Sequence, residues 1–385
     1  MTGKTIRVLT LIENALVTGP ARNLIEFGKT AEGAEVGLPA VQVTIVTYQR
    51  GAEESALALA ATEAGLAVST VAERRRWDTR VFGQLKRVVA EINPDILETR
   101  NIKSHFLVRL LGLHKKYPWV AWNHGYTAIS QLDRAYALLD RWSLPKAYRV
   151  VTVCRPFADD LVKVGVDRDK IMILHNSVRP FVAPPQEEVQ RARRKLGIAD
   201  DEGVILSIGR LSQEKGHADL IRAAAVLSEL PGVPRFRIVI VGDGPEREPL
   251  AQLAARLGIE KRITFAGFQR DTKPYYAMAS VVAVPSYSEG SPNVVLEAMA
   301  AGLPIAANAV GGVPEILGEN VMGLMVPPRN PGAMAKTLLR ILSDEELRRR
   351  LGAAARARAE SSHTPEAYRR TLVEFYQKTL ESLSR

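Results

Sequence analysis

The segment Ser288-Glu289-Gly290-Ser291-Pro292-Asn293-Val294-Val295-Leu296-Glu297 sets two carboxylates eight positions apart around the start of a helix. Ser291 suits an N-cap and Pro292 the first helical position, where φ is already near the helical value and a missing N–H costs nothing. The helix is expected to run to about Ala301, with Gly302 ending it. The amides of its first turn, chiefly those of Asn293 and Val294, point backwards with roughly half a positive charge, which favours a phosphate. Eight residues of helix at about 1.5 Å each would hold Glu289 and Glu297 roughly 12 Å apart, too far to share one water or flank one glycosidic bond. Gripping opposite ends of one elongated ligand is the better use for them, so the segment reads as a clamp for a nucleotide-activated sugar.

Other loops carry matching chemistry. Gly209-Arg210-Leu211-Ser212-Gln213-Glu214-Lys215-Gly216 puts two cations in one glycine-flanked loop that opens a helix. Arginine can fork two oxygens of a phosphate and lysine supplies a compact charge, so a diphosphate can use both; a solvated loop with incidental charge is the plain alternative. Gly242-Asp243-Gly244-Pro245 looks like half of a dinucleotide fingerprint, but Arg247 stands where the third glycine would be. A dehydrogenase is therefore disfavoured, and the glycines read as a tight turn that lets the chain pass near a nucleotide. In Asn14 to Asn23, Gly19 lets a ligand approach the backbone and Pro20 suits a first helical turn, making a second candidate anion site. His124, in Trp122-Asn123-His124-Gly125-Tyr126, ends an apolar strand, where a structural histidine and a ligand contact are equally good readings.

The elements that position these loops follow from periodicity. Apolar runs at Ile6 to Ile12, Val41 to Tyr48, Leu66 to Val71, Asp95 to Thr99, Trp119 to Trp122, Val150 to Cys154 and Ile171 to Leu174 read as strands. Amphipathic stretches such as Glu53 to Ala64, Val81 to Ile92 and Pro156 to Val164 lie between them. That alternation implies a parallel sheet with helices on both faces. Pro180, Pro184 and Pro185 interrupt regular structure within Ser177 to Gln186, the expected linker. The alternation restarts at Val204 to Ile208, Phe236 to Val241, Ile263 to Ala266, Val281 to Val284, Ile305 to Ala307 and about Gly323 to Val326, and a helix from Pro365 to Leu383 closes the chain. The fold class is thus α/β, with doubly wound parallel sheets whose ligands sit beyond the carboxyl ends of the strands.

Composition agrees with two domains. The chain has 385 residues, 46% hydrophobic and 24% charged, more than one core usually serves. The single cysteine, Cys154, excludes an intramolecular disulfide and fits a reducing cytoplasm, with packing as its ordinary role. The first apolar run is broken by Arg7 and followed by Glu13, unlike an export signal, and no stretch is long enough to span a membrane.

Taken together, the E-x7-E pair, the G-R-x-x-x-E-K-G loop and G-D-G-P resemble the retaining glycosyltransferases of family 4, strongest from Val204 to Val326. The resemblance implies a GT-B fold, two Rossmann-like domains facing across a cleft. Residues 1–178, with a returning helix at 365–385, would be the acceptor side, and 179–364 the donor-binding side. It further implies that Arg210 and Lys215 hold the diphosphate, that Glu297 binds ribose hydroxyls and Glu289 sugar hydroxyls, and that the amides of Asn293 and Val294 complete the phosphate cradle. Gly209, Gly242, Gly244 and Gly290 would shape the donor site. Gly19 would contribute from the first domain, His124 would touch the transferred sugar, and the base would lie near Gly267 to Asp271, beside Gln269 and Arg270. Two positions depart from the family: Gly19-Pro20 replaces a glycine pair, and Pro292 removes an N–H donor, which leaves Ser291 or Asn293 to read the sugar.

The implied reaction moves a hexose from a nucleotide-diphosphate sugar, UDP before GDP, to a hydroxyl of a carbohydrate or lipid-linked acceptor in polysaccharide or glycolipid synthesis. Neither a cofactor nor a metal is expected, and Asp167-Arg168-Asp169 precedes a strand rather than following one. A sugar-nucleotide epimerase and a non-catalytic sugar-nucleotide binder are the rival readings. Net charge is +10, and residues 1–180 carry 25 Lys/Arg against 18 Asp/Glu. Arg74-Arg75-Arg76, Lys86-Arg87 and Lys115-Lys116 could meet an anionic membrane at the inner face, or could simply be solvated. With aromatics at 6% and no aromatic–basic platform, nucleic-acid binding is disfavoured.

Overall fold

The computed structural model describes residues 5–13, 19–33, 37–51, 53–75, 78–125, 138–318 and 321–383. It divides into two compact units, residues 1–176 with 365–385 and residues 177–364.

In the first unit, strands β1 (Ile6–Leu11), β2 (Val41–Gln49), β3 (Ala67–Ala72), β4 (Ile96–Thr99), β5 (Trp119–Asn123), β6 (Arg149–Thr152) and β7 (Ile171–Ile173) pair in the order β3-β2-β1-β4-β5-β6-β7. Every pairing is parallel, in register such as Val8↔Val43 and Val8↔Ile96. A parallel sheet is covered on both faces, so its strands must be apolar on both. β1 shows this directly: Ile6 and Val8, with Ile12 just beyond, enter one core, whereas Leu9 and Leu11 enter the other.

The helix Pro365–Glu381 belongs to this unit and supplies Tyr368, Leu372, Val373 and Tyr376 to the first of those cores. Tyr376 meets Phe27 edge to face at 6.0 Å, and its hydroxyl donates to Glu98. Glu98 also accepts from Thr10 and from Arg100 Nε, the latter at 2.6 Å, with both charged side chains almost wholly buried. The terminal helix is thus held by a polar anchor as well as by apolar packing.

In the second unit, β8 (Gly203–Ile208), β9 (Phe236–Val241), β10 (Ile263–Gly267), β11 (Val281–Val284), β12 (Ile305–Asn308) and β13 (Leu324–Val326) form a parallel sheet ordered β10-β9-β8-β11-β12-β13. Two cores again flank it; Val204 and Leu206 face one, Ile205 the other. Residues 174–185 carry no regular structure, and the next helix begins at Gln186. Both sheets reverse winding direction beside their first strand, between β1 and β4 and between β8 and β11, and such reversals open a crevice at the carboxyl ends of the strands.

One element starts later than its sequence predicts. The helix after Glu289 covers Asn293–Ala300, with Pro292 as its N-cap at ψ 119°. Ser291 is therefore not the cap and Pro292 is not helical: its extended ψ places the turn one residue on, and the Pro292 carbonyl receives the amides of Val295 and Leu296. Residues 289–292 are loop, so eight helical residues do not separate the two glutamates, and the 12 Å helical spacing does not apply. Gly302, at φ 71°, follows the helix as expected.

Candidate active site

The second unit's carboxyl-end loops are stitched to one another. Gly209 N–H donates to the Val241 carbonyl, Leu211 N–H to Asp243, Gly242 N–H to Gly267 and Tyr287 N–H to Glu214, all within 3.0 Å. The loops after β8, β9, β10 and β11 thereby become one rigid rim. Glycines are required where these backbones touch. A Cβ on Gly242 would stand 1.9 Å from the Gly209 carbonyl oxygen, and one on Gly244 2.4 Å from that of Leu211. The G-D-G-P turn thus owes its glycines to a neighbouring loop of the protein, a cause different from the nucleotide approach read from sequence.

The charged groups sit on this rim at the β8/β11 reversal. Lys215 Nζ lies 2.8 Å from Glu289 Oε1, and the glutamate side chain is only 7% exposed. An ammonium has three donors, so one bond to Glu289 leaves two for ligand oxygens. Arg210 is exposed, on the same loop after β8. Gly216, at φ 67°, brings that loop against β11's end, where a Cβ would meet the Pro285 carbonyl oxygen at 2.0 Å. Gly311 does the same for Glu289 from the loop after β12: Gly312 N–H donates to the Glu289 carbonyl at 3.1 Å, and a Cβ on Gly311 would come within 1.6 Å of that oxygen. Asn308 closes the rim by donating to the Pro285 and Ser286 carbonyls.

Glu297 is half-buried on the helix Asn293–Ala300, and its Oε2 accepts from the Tyr276 hydroxyl at 2.8 Å. Burial, then the carboxylate, pushes the Tyr276 phenol well above its ordinary range, so it stays a donor. Asn293 and Val294 begin this helix, while Gly290 and buried Ser291 lie between it and Glu289. Gln269 Nε2 donates to the Ala266 carbonyl and Arg270 is exposed, both just past β10. Buried His217, after Gly216, is pushed down to about 4 by burial first and Lys215 second, and its Nδ1 has no hydrogen-bond partner among the described residues. The structure thus joins Lys215 to Glu289 directly; Arg210 lies on the same loop after β8 as Lys215, and Gly290, Ser291, Asn293, Val294 and Glu297 lie on the loop and helix after β11, with Gly209, Gly242, Gly244, Gln269 and Arg270 on the loops after β8, β9 and β10.

Gly19 and His124 stand in the first unit. Gly19 opens the helix Gly19–Ala31, and residues 14–18 of its loop lie outside the described residues, as does Tyr126. His124 stacks on Trp122 at 5.9 Å, which in turn lies under the Arg100 guanidinium at 3.9 Å. Burial, then Arg100, pushes the His124 imidazole down to about 3. A neutral ring can give or take a hydrogen bond but carries no charge to a ligand. Asp167, of the D-x-D sequence, pairs with Lys170 at 3.0 Å ahead of β7, and no group of metal-binding side chains occurs among the described residues.

Sequence reading missed a ring of four charges at the carboxyl end of the first sheet. Lys103 Nζ pairs with Glu13 at 3.2 Å and Glu73 at 2.6 Å, while Arg50 pairs with the same two at 2.7 and 2.6 Å. Its members follow β1, β2, β3 and β4, up to 90 residues apart, so no local spacing exposes it. The rule that places functional loops after parallel strands was the available signal. Tyr276 was missed for the same reason.

Comparison with known proteins agrees with this architecture. The model described as "Glycosyl transferases group 1" matches residues 188–358, and that described as "Glycosyltransferase Family 4" matches residues 39–180. An uncharacterized glycosyltransferase of Methanocaldococcus jannaschii is 30% identical over 304 residues, 76% of this chain and 77% of its own. A D-inositol 3-phosphate glycosyltransferase of Streptomyces scabiei is 36% identical over 225 residues, 56% of this chain and 50% of that protein. Several curated relatives are matched over only about half of their length. Among solved structures, Anabaena HepE in complex with UDP superposes with a TM-score of 0.81 at 19% identity, covering 97% of this chain and 100% of that one. Sucrose-phosphate synthase of Thermosynechococcus elongatus gives 0.77 at 21% identity, covering 98% and 100%. The paired parallel sheets account for the structural likeness, the two models account for both halves in order, and the chain belongs to the family 4 glycosyltransferases with the GT-B fold.

Proposed function

We propose that this glycosyltransferase is a retaining hexosyltransferase that uses a UDP-sugar and needs no metal, and that it acts in the synthesis of a cell-surface polysaccharide or glycolipid. The observation that supports the reading is the pairing of Lys215 with Glu289 at the β8/β11 reversal, with Arg210 on the same loop as the lysine. When the bond between the anomeric carbon and the phosphate oxygen breaks, negative charge grows on the diphosphate. Arg210 and the free donors of Lys215, aided by the positive end of the helix Asn293–Ala300, stabilise that charge more than the ground state. Fixed cations fill the place a divalent ion takes in other phosphate chemistry. Glu289, held by Lys215, accepts from sugar hydroxyls; Glu297, held by Tyr276, accepts from ribose hydroxyls.

In this scheme the acceptor oxygen bonds to the anomeric carbon on the face that the phosphate leaves. A departing phosphate oxygen takes the acceptor's proton, and the sugar keeps its configuration. UDP is favoured as carrier because HepE was solved with UDP and with UDP-glucose. A thermal-shift screen of nucleotide diphosphates and their sugars tests the reading. A ligand at 100 times its Kd adds about 2.7 kcal/mol, so one uridine diphosphate sugar should raise the melting point clearly, unaltered by chelator. Stabilisation by guanosine nucleotides alone, or only with added manganese, would refute the donor assignment.

A further inference from the structure

The carboxyl edge of the first sheet carries charges that the diphosphate chemistry does not use. Across the neighbouring strands β3, β2, β1 and β4, the residues that follow are Glu73, Arg50, Glu13 and Lys103, so the sign alternates strand by strand. Arg50 bridges Glu73 and Glu13, and Lys103 reaches from Glu13 to Glu73 to close the ring, with every pair between 2.6 and 3.2 Å. Depth is graded: the side chain of Glu73 is 1% exposed and that of Lys103 13%, whereas Glu13 and Arg50 are 33% and 45% exposed. Glu73 and Lys103 thus form a floor, and Glu13 and Arg50 a rim open to solvent. Neighbours hold the ring in place: Lys103 Nζ lies 4.0 Å over the Tyr48 ring, whose hydroxyl meets Ser104, and Asn101 donates to the Glu13 carbonyl.

Position and charge balance both restrict what such a ring can hold. It lies beside the β1/β4 reversal, where an open α/β sheet binds its ligand, in the unit that lacks the Lys215–Glu289 pair. Its two cations are already opposed by two carboxylates, so it offers a diphosphate no net charge. An anionic ligand could recruit Arg50 or Lys103 only by drawing a cation away from Glu73, and a carboxylate that deep is costly to leave uncompensated. An ammonium ligand would have to approach Glu13 against the two cations already bound there. Hydroxyl groups meet neither penalty, because each both donates and accepts. The rim has the matching valences: both cations reach Glu13 through Oε1, which leaves Oε2 as an acceptor among the described residues, and the two ion pairs use two of the five N–H donors of Arg50. Adjacent hydroxyls of a sugar or cyclitol, one donating to Glu13 and the next accepting from Arg50, fit this pair.

We propose that this ring is a subsite for the acceptor, and that it selects an uncharged polyhydroxylated one through a vicinal diol bridged by Glu13 and Arg50. The proposal rests on the transferase reading above and adds to it the charge class of the second substrate. The test is a titration of the full chain, with UDP present, by saturation-transfer difference NMR against three matched sets of probes. These are methyl hexopyranosides with myo-inositol, hexose 6-phosphates with inositol 1-phosphate, and 2-amino-2-deoxyhexoses. At least one neutral probe should bind, at least about tenfold more tightly than its phosphorylated or amino counterpart. Glu13→Gln should weaken that probe about 3- to 10-fold, the worth of one hydrogen bond, and should shift preference towards the phosphorylated counterpart because the ring becomes net positive. Arg50→Gln should weaken it by a similar factor and shift preference towards the amino counterpart. Opposite shifts separate recognition from a purely structural role, which would weaken every probe alike. UDP affinity, read by calorimetric titration, should be unchanged in both variants. Should Arg50→Gln fail to fold, the near-isosteric Glu13→Gln carries the test alone. Tighter binding of a phosphorylated or amino probe to the unaltered protein overturns the proposal. So does a charge preference that neither substitution moves, or the binding of UDP without any neutral probe. Failure of UDP itself to bind the unaltered protein would count against the donor reading instead.

Discussion

Lys215 and Glu289 are 74 residues apart in sequence, yet their charged atoms meet at 2.8 Å where the second sheet reverses its winding. The glutamate is nearly buried, so the lysine both compensates it and presents charge outwards. Lys215→Met should lower turnover about 10²- to 10³-fold, the range for removing one donor to a developing anion. Glu289 would then be left without its cation, so the melting point should fall as well. Adding Glu289→Gln should restore part of that stability but no activity. A double-mutant cycle by thermal denaturation and steady-state kinetics checks both, with coupling of at least about 1 kcal/mol expected.

Tyr276→Phe removes the donor that orients Glu297. The structural cost should be about 1 kcal/mol, the ordinary worth of one hydrogen bond. If Glu297 holds the ribose, UDP should bind several-fold more weakly while turnover at saturating donor changes little. Calorimetric titration of UDP separates this from a general loss of packing, which would leave UDP affinity unaltered.

Gly311 and Gly258 share a left-handed backbone, at φ 53° and 68°, but differ in surroundings. A Cβ at Gly258 meets nothing within 4 Å, whereas one at Gly311 collides with the Glu289 carbonyl. Gly258→Ala should therefore cost only the conformational term, about 1–2 kcal/mol. Gly311→Ala should cost more and also reduce transfer, because the backbone carrying Glu289 has to move. Urea denaturation and activity of the two variants side by side provide the comparison.

Acid should destabilise the protein through His217. Its folded pKa, about 4, lies below the ordinary histidine value of 6.5, so between these the unfolded chain binds a proton that the native state does not. Stability from this group is fully present above about pH 6.5 and is lost as pH falls towards 4, amounting to roughly 3 kcal/mol. His217→Phe should flatten that part of the pH–stability curve measured by urea unfolding. His124, pushed down to about 3, acts in the same direction.

Both sheets were legible because most of their strands are short, largely apolar runs bounded by turn residues, as doubly covered parallel strands tend to be, even where a polar residue such as Arg7 or Arg237 interrupts one. The loops bearing Arg210, Lys215 and Glu289 were legible because the winding rule points to them before any contact is known. Partnerships were not. Periodicity reports which face an element buries, but not that Tyr276 reaches Glu297, or that Arg50 and Lys103 share Glu13 and Glu73. The helix start, at Asn293 rather than Pro292, was missed although the local rules were sound: serine caps well and proline begins helices well, but Pro292 takes an extended ψ and is itself the cap, in a loop that Gly311 and Gly312 pack against at Glu289.

The most direct measurement is proton NMR of the product made from an α-linked UDP-sugar and a competent acceptor, followed from the first turnovers. Departure of the diphosphate and entry of the acceptor on one face predict an α-linked product. A β-linked product would contradict the account, because it requires a base opposite the leaving group, a role for which Glu289, tied to Lys215, is already committed elsewhere.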